Sequence, residues 1–480
     1  MKTVIRTGTP LTYQESPAIC VLTFLFLSFC AGSRNPENIN WYLTNPDKSP
    51  ILEKQPALAA VKRPDNIMNT IVIDDTEQYQ VMDGFGFALT GGSAIHINAM
   101  NPEARKDLLN ELFAREDNSI AVSYLRVSIG ASDLSDRVFS YNDLPPGETD
   151  PEMKRFSIEP ERKDLIPVLK VILQINPDIK ILGSPWSPPV WMKTNNSSIG
   201  GSLKPEFYDA YALYFVKYIE EMKAEGIRID AITIQNEPLH PGNNPSMYMT
   251  AGEQAAFISK SLGPAFRKAD IDSKIIIYDH NPNRIDYPVQ VLNDPEARQY
   301  IDGSAFHMYE GEVEAISEVK KAHPDKNLYF TEQWMGAPGN FANDLRWHVK
   351  TIIIGATRNW CKNVVEWNLA ADQNQDPHTE GGCTSCLGAV TIDGNSVTRN
   401  PAYYVIAHAS KFVSPGSVRI KSNIPESIQN VAFMTPTGDY VIIVLNDSDK
   451  DQAFQITFQD KTVNAALKTG AVATFTWPQD

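Results

Sequence analysis

Two carboxylates stand where an apolar run gives way to a loop. Glu237 lies in Ile232-Thr-Ile-Gln-Asn-Glu-Pro238, and Glu332 ends Leu328-Tyr-Phe-Thr-Glu332. The apolar and β-branched residues suit buried parallel strands. Pro238 cannot donate to a central ladder, so the first strand must stop by that point. In parallel α/β folds, ligands and chemistry sit at the C-terminal ends of the strands. Two carboxylic acids there can divide the work of breaking a glycosidic bond: one protonates the leaving oxygen and the other attacks the anomeric carbon. A lone Asn-Glu-Pro is as readily a surface glutamate at a loop start. The repeat of the same setting at Glu332 favours the chemical reading.

The other strand ends carry residues of a matching kind. They are Gly84-Phe-Gly86, Arg126 with Asp133, Ser184-Pro-Trp186, Asn236, Asp279-His280, His307 with Tyr309, Trp334, and Trp367-Asn368. Aromatic faces stack on the C–H faces of a pyranose while fixed polar groups satisfy its hydroxyls, so this set describes a sugar site. Competing chemistries fit worse. Gly84-Phe-Gly86 lacks the third glycine of a dinucleotide fingerprint, and neither a Walker loop nor His-Glu-x-x-His occurs. Cys383-Thr-Ser-Cys386 has no second pair or arranged histidines for zinc, and reads as a local disulfide clipping a loop. No metal and no organic cofactor is expected.

Eight short apolar strands can hold these residues. They are expected at 81–88, 121–129, 179–184, 229–235, 274–278, 303–307, 327–331 and 363–368, with amphipathic stretches between. The clearest helix runs from Pro205 to Glu225, where Phe207, Tyr211, Tyr214, Tyr218 and Met222 recur every three or four positions. Eight strand–helix repeats predict an α/β fold, a closed (β/α)8 TIM barrel, with an open doubly wound sheet as the alternative. After Pro415 the period becomes two, and runs at 427–434, 440–445, 453–458 and 472–477 predict an accessory antiparallel β-sandwich. The strand near Ile71 is expected to join it. The expected organisation is therefore a signal over 1–30, a tether and N-terminal strand over 31–79, the barrel over 80–414 and the sandwich over 415–480.

The formal charge of −15 on 480 residues, with no Lys/Arg run, argues against nucleic acid or an anionic membrane as partner. Ala18 to Cys30 is nearly all apolar and follows Lys2 and Arg6, which reads as the core of a secretory signal, too short to span a bilayer. Leu27-Ser-Phe-Cys30 approximates a lipobox, although Phe29 is larger than the residue usual there. Membrane contact is expected only through an N-terminal lipid anchor at Cys30, with a free secreted protein as the alternative.

The chain resembles glycoside hydrolase family 30, the group of glucocerebrosidase-like enzymes and β-1,6-glucanases. The resemblance rests on Gly84–Ser93, Leu125–Ser135, Ser184–Asn195, Gln235-Asn-Glu-Pro238, Phe306-His-Met-Tyr309, Phe330-Thr-Glu332, Trp367–Ala370 and Tyr404–Ser414. It implies a barrel packed on a sandwich made from both chain ends, and retaining hydrolysis of β-glycosides. Carried over motif by motif, Glu237 is the acid/base and Glu332 the nucleophile, and Asn236 bonds the sugar 2-hydroxyl. Arg126, Asp133, Trp186, His307, Tyr309 and Trp367 line the glycone subsite. Met308 and Leu134 stand where glucocerebrosidase-like members carry aromatics, which favours a β-1,6-glucan over glucosylceramide. Another exo-β-glucosidase or β-xylosidase activity, and a barrel that binds carbohydrate without cleaving it, are the alternatives. The placement of charge predicts that Glu332, near Arg126, stays ionised while Glu237 keeps its proton.

Overall fold

The computed structural model describes Met1, Gly8 and residues 38–62, 69–459 and 461–478. The architecture below is that of the unit Pro36–Asp480. The signal expected over residues 1–30 lies outside the described residues. Among the described residues no helix is long and apolar enough to cross a membrane.

Eight parallel strands close into a barrel in chain order: Gly84–Ala88, Tyr124–Ser128, Lys180–Ser184, Ala231–Thr233, Lys274–His280, Ile301–His307, Asn327–Glu332 and Cys361–Asn368. The eighth strand pairs with the first, Asn363 opposite Gly84, so neither edge is left open. The long helix Tyr208–Ala224 packs its tyrosines inward; Tyr211, Tyr214 and Tyr218 are all buried.

Strand alternation stacks the barrel interior in layers. A lower apolar layer holds Tyr124, Leu182, Ala231, Ile276, Ala305, Tyr329 and Val365. The first strand contributes Gly86 at this level, because a Cβ there would lie 1.8 Å from the Tyr124 carbonyl oxygen. Gly84-Phe-Gly86 thus serves close strand packing. Two residues further along five of the strands the interior turns polar, with Arg126, Ser184, Thr233, His307 and Thr331 buried. That polar layer is the floor of the site.

The second body is a sheet of ten strands drawn from both chain ends. Residues 31–66, expected as a tether or irregular start, supply three of its strands, Asn38–Thr44, Glu53–Ala59 and the short Val61–Lys62. The Asn, Pro and Lys content hid them: Asn38–Thr44 is a strand because Val472–Trp477 pairs beside it, with Trp41 stacked on Phe475 at 5.5 Å. The strand near Ile71, Thr70–Val81, joins the same sheet, antiparallel to Val418–Ser422 and parallel to Gln452–Phe458. The sheet is therefore antiparallel except at that last pairing. Strands Val418–Ser422 and Lys461–Leu467 also went unread in the sequence.

The single strand expected over 81–88 is two. Val81 ends the sandwich strand, and the backbone changes partners at Met82, bonded to Ser417, and Asp83, bonded to Lys362, before the barrel begins at Gly84. His408 locks the two bodies together, its ring nitrogens 2.9 Å from Thr474 Oγ1 and 2.8 Å from Thr44 Oγ1.

Candidate active site

The barrel's C-terminal rim opens into a cavity of about 660 Å³. Asp133, Trp186, Glu237, Tyr309, Glu332 and Trp367 line it. Arg126, Asn236 and His307 lie beneath or beside them and are buried. All nine residues singled out in the sequence therefore gather at one end of one barrel.

Arg126 projects from the second strand into the polar layer. Its guanidinium bonds the Glu332 carboxylate, and reaches Asn236 Oδ1 at 2.7 Å and Asp279 Oδ2 at 2.8 Å. Trp186 covers it at 4.8 Å and Trp367 at 5.7 Å, while the two indoles stack with centroids 5.3 Å apart. Sealing the cation this way strengthens its field on the carboxylates. Glu332 is bound through both oxygens, one to Arg126 and the other accepting from the Tyr309 hydroxyl at 2.8 Å. Asn236 Oδ1 is taken by Arg126, which leaves the amide NH2 to donate elsewhere.

Glu237 sits on a backbone with φ of +46° directly before Pro238. Side chains rarely adopt that conformation, which costs on the order of 1–3 kcal/mol where the surroundings enforce it. Here the Glu237 amide is tied to the Asp279 carbonyl at 3.0 Å. His307 Nδ1 lies 3.1 Å from Glu237 and 3.7 Å from Glu332, so both carboxylates flank the same ring nitrogen.

Asp279 was noted at a strand end but not counted as a site residue, yet five groups converge on its carboxylate. Oδ2 accepts from Arg126 at 2.8 Å, Ser184 at 2.7 Å and Thr233 at 2.8 Å. Oδ1 meets Thr331 at 2.6 Å and His307 Nε2 at 3.0 Å. Strict alternation from Ile276 would aim Tyr278, not Asp279, inward. A bulge corrects this: Ala305 pairs with Tyr278 and Phe306 with His280, and Tyr278 and Asp279 have φ of +74° and +65°. The apolar run Ile275–Tyr278 gives no sign of the extra residue.

Burial disfavours ionisation of Asp279, but Arg126 and His307 overcome it and hold the carboxyl well below the ordinary range. Burial lowers His307 as well, yet the negative Glu332, Asp279 and Glu237 around it push it up to about 9. The coupled glutamates then part. Burial acts to raise Glu237, but the hydrogen bond and charge of His307 prevail and lower it. Burial raises Glu332, with Glu237 adding to it against His307 and Arg126. Each carboxylate thus has its own cation beside it, His307 at Glu237 and Arg126 at Glu332. Asp133 is also raised, to about 7, by burial and by Glu332.

From the sequence, only a local disulfide, Cys383 with Cys386, is read in the loop from Ala371 to Leu387. The loop folds over the rim, and Cys383 and Cys386, joined in a disulfide, form part of the cavity wall. Spacing alone could suggest the bridge but not its position.

Residues 82–413 match the glycosyl hydrolase family 30 TIM-barrel domain, and residues 416–475 match the family's β-sandwich domain. The chain belongs to glycosyl hydrolase family 30. It is a β-glycoside hydrolase, of a family that works with retention. Among its relatives is the endo-1,6-β-D-glucanase neg1 of Aspergillus fumigatus, 34% identical over 418 residues, 81% of this chain and 83% of that one. The lysosomal acid glucosylceramidase of Mus musculus is 29% identical over 436 residues, 85% of this chain and 83% of the other. A solved endo-β1,6-glucanase superposes with a TM-score of 0.86 at 35% identity, covering 92% of this chain and 100% of its own.

Proposed function

We propose that the protein hydrolyses β-1,6-linked glucan by double displacement, with Glu332 as nucleophile and Glu237 as acid/base. The observation that carries the assignment is the different tethering of the two carboxylates. Glu332 is bound through both oxygens by Arg126 and Tyr309, as a group that must be held still and charged for in-line attack. Glu237 faces His307, a group that can exchange a proton with it over 3.1 Å.

The steps follow from that arrangement. A glucosyl unit stacks on the Trp186–Trp367 pair, with Asp133 and the Asn236 amide taking its hydroxyls. Glu332 attacks the anomeric carbon while Glu237 delivers a proton to the departing oxygen, drawing it from His307 across their hydrogen bond. That proton leaves with the released alcohol, so His307 is now neutral and Glu237 again a carboxylate. Glu237 then takes a proton from the water that hydrolyses the glycosyl ester and passes it to His307 as Glu332 regains its charge. Asp279 keeps the imidazole oriented throughout.

The β-1,6 preference is supported by the relatives named above and by the outer cavity wall. His240, Asn243, Asn283, Arg284 and Glu310 line it. Such a wall suits a hydroxylated sugar better than the apolar chains of a glycolipid. Product analysis on soluble β-1,6-, β-1,3- and β-1,4-glucans, with glucosylceramide in detergent alongside, tests the assignment. Release of β-1,6-linked glucose oligosaccharides supports it, and faster turnover of the lipid overturns it.

The apolar run before Cys30 supports export of the protein to the cell envelope or beyond, with Cys30 as an attachment point for lipid.

A further inference from the structure

Three potential metal ligands converge on the acid/base. Glu237 Oε1 lies 3.1 Å from His307 Nδ1 and 3.8 Å from His280 Nδ1, and the three ligand atoms all fall within 4.8 Å of one another. We propose that Glu237, His280 and His307 form a binding site for a zinc-class transition-metal cation, and that its occupation switches hydrolysis off.

Tetrahedral zinc holds nitrogen and oxygen ligands at about 2.0–2.1 Å, which places the ligands roughly 3.3 Å from each other. The His307–Glu237 separation, 3.1 Å, is close to that value. His280 Nδ1, 3.8 Å from Glu237 Oε1, must close in to join the same shell. Two imidazoles and one carboxylate form a donor set suited to zinc or copper(II) rather than to magnesium or calcium.

Two further features distinguish this cluster from a chance gathering. His307 presents Nδ1 to the site while its Nε2 is held 3.0 Å from Asp279 Oδ1. That is the carboxylate–histidine arrangement that orients metal-bound imidazoles and raises their basicity. Asp279 is itself fixed by Arg126, Ser184, Thr233 and Thr331. The second feature is His280, only 9% exposed, whose Nδ1 is buried and has no hydrogen-bond partner among the described residues. A buried polar atom without a partner is rare enough to require an explanation. Here it is aimed at Glu237. Glu237 and His280 both border the cavity, so a fourth coordination position opens toward water or a sugar hydroxyl.

Inhibition rests on the acid/base reading of Glu237, since coordination through Oε1 occupies the atom that must carry the proton. Binding does not rest on it, and the experiment separates the two. Zinc chloride is titrated calorimetrically into the full-length protein, wild type and His280→Ala, in a chelator-free buffer. Anomalous scattering at the zinc edge from soaked wild-type crystals locates the cation independently of any variant's folding. One zinc per chain among the three residues, bound at least about tenfold more weakly by His280→Ala, is expected. Hydrolysis should fall in proportion to occupancy and return with EDTA. Absence of saturable binding up to about 1 mM zinc, equal affinity in a folded His280→Ala, or an anomalous peak elsewhere overturns the site. Zinc seated on the three residues with hydrolysis unchanged overturns the switch, and with it the role of Glu237.

Discussion

His307→Gln separates the proton supply from the rest of the site. The amide can still hydrogen-bond Glu237 but can neither hold a charge nor pass a proton. In the wild type the imidazole, pushed up to about 9 by the carboxylates around it, keeps a proton available to Glu237 through neutral pH. Activity on a substrate that needs acid assistance should therefore persist to about pH 9 and then fall tenfold per unit. Without the cation, Glu237 and Glu332 face each other directly, and the shared proton must sit on a carboxyl raised by burial and by its neighbour. Such a carboxyl gives up its proton at lower pH than the imidazole did. With the alkaline limb moved there, kcat/KM at pH 8 should drop by about 10- to 100-fold, or ~1.4–2.7 kcal/mol, with a much smaller loss at pH 5.5. The assay is the pH dependence of kcat/KM on a β-1,6-linked glucose oligosaccharide, whose leaving group needs a proton. The comparison substrate is 2,4-dinitrophenyl β-glucoside, whose leaving group does not. The alkaline limb should move for the first and hardly for the second. An unmoved limb near 9, or an equal loss on both substrates at every pH, would show that His307 does not supply the proton.

Glu332→Ala should abolish turnover of every substrate, because no other carboxylate is held by Arg126 and Tyr309 for attack. Glu237→Ala should lose about 10²–10⁴-fold on the oligosaccharide but far less on the dinitrophenyl glycoside, and azide should restore part of the rate; identical losses without rescue would contradict the two roles. Tyr309→Phe removes a hydrogen bond to Glu332 worth about 1.5–3 kcal/mol in a charged pair, so kcat/KM should move by more than tenfold; a change below twofold on the oligosaccharide would place the hydroxyl outside the reaction. Mass analysis of the protein from its native host should show loss of about thirty residues at the N-terminus, and an intact Met1 would rule out the signal.

Much of this enzyme is legible along the chain because its information is local. Pro238 must end a strand, so Glu237 must stand at a strand's end, and the apolar run before Glu332 places that residue likewise. The recurring tyrosines of Tyr208–Ala224 state a helix and its buried face together. Once eight such strands are counted, the closed barrel brings their C-terminal ends to one rim, and the nine candidate residues with them. Pairing decided the rest. Asn38–Thr44 is a strand because it pairs with Glu53–Ala59 on one edge and, on the other, with Val472–Trp477, more than four hundred residues away in the chain. Asp279 faces the site through a bulge that no alternation pattern signals, since an extra residue changes register without changing composition. The resting proton also depends on distance, because His307 stands 3.1 Å from one glutamate and 3.7 Å from the other. Residue types and spacing specified which groups could do the chemistry. Which carboxylate holds the proton is set by charges within a few ångströms in a buried pocket, where the low dielectric makes such differences count, and only the folded chain sets those distances.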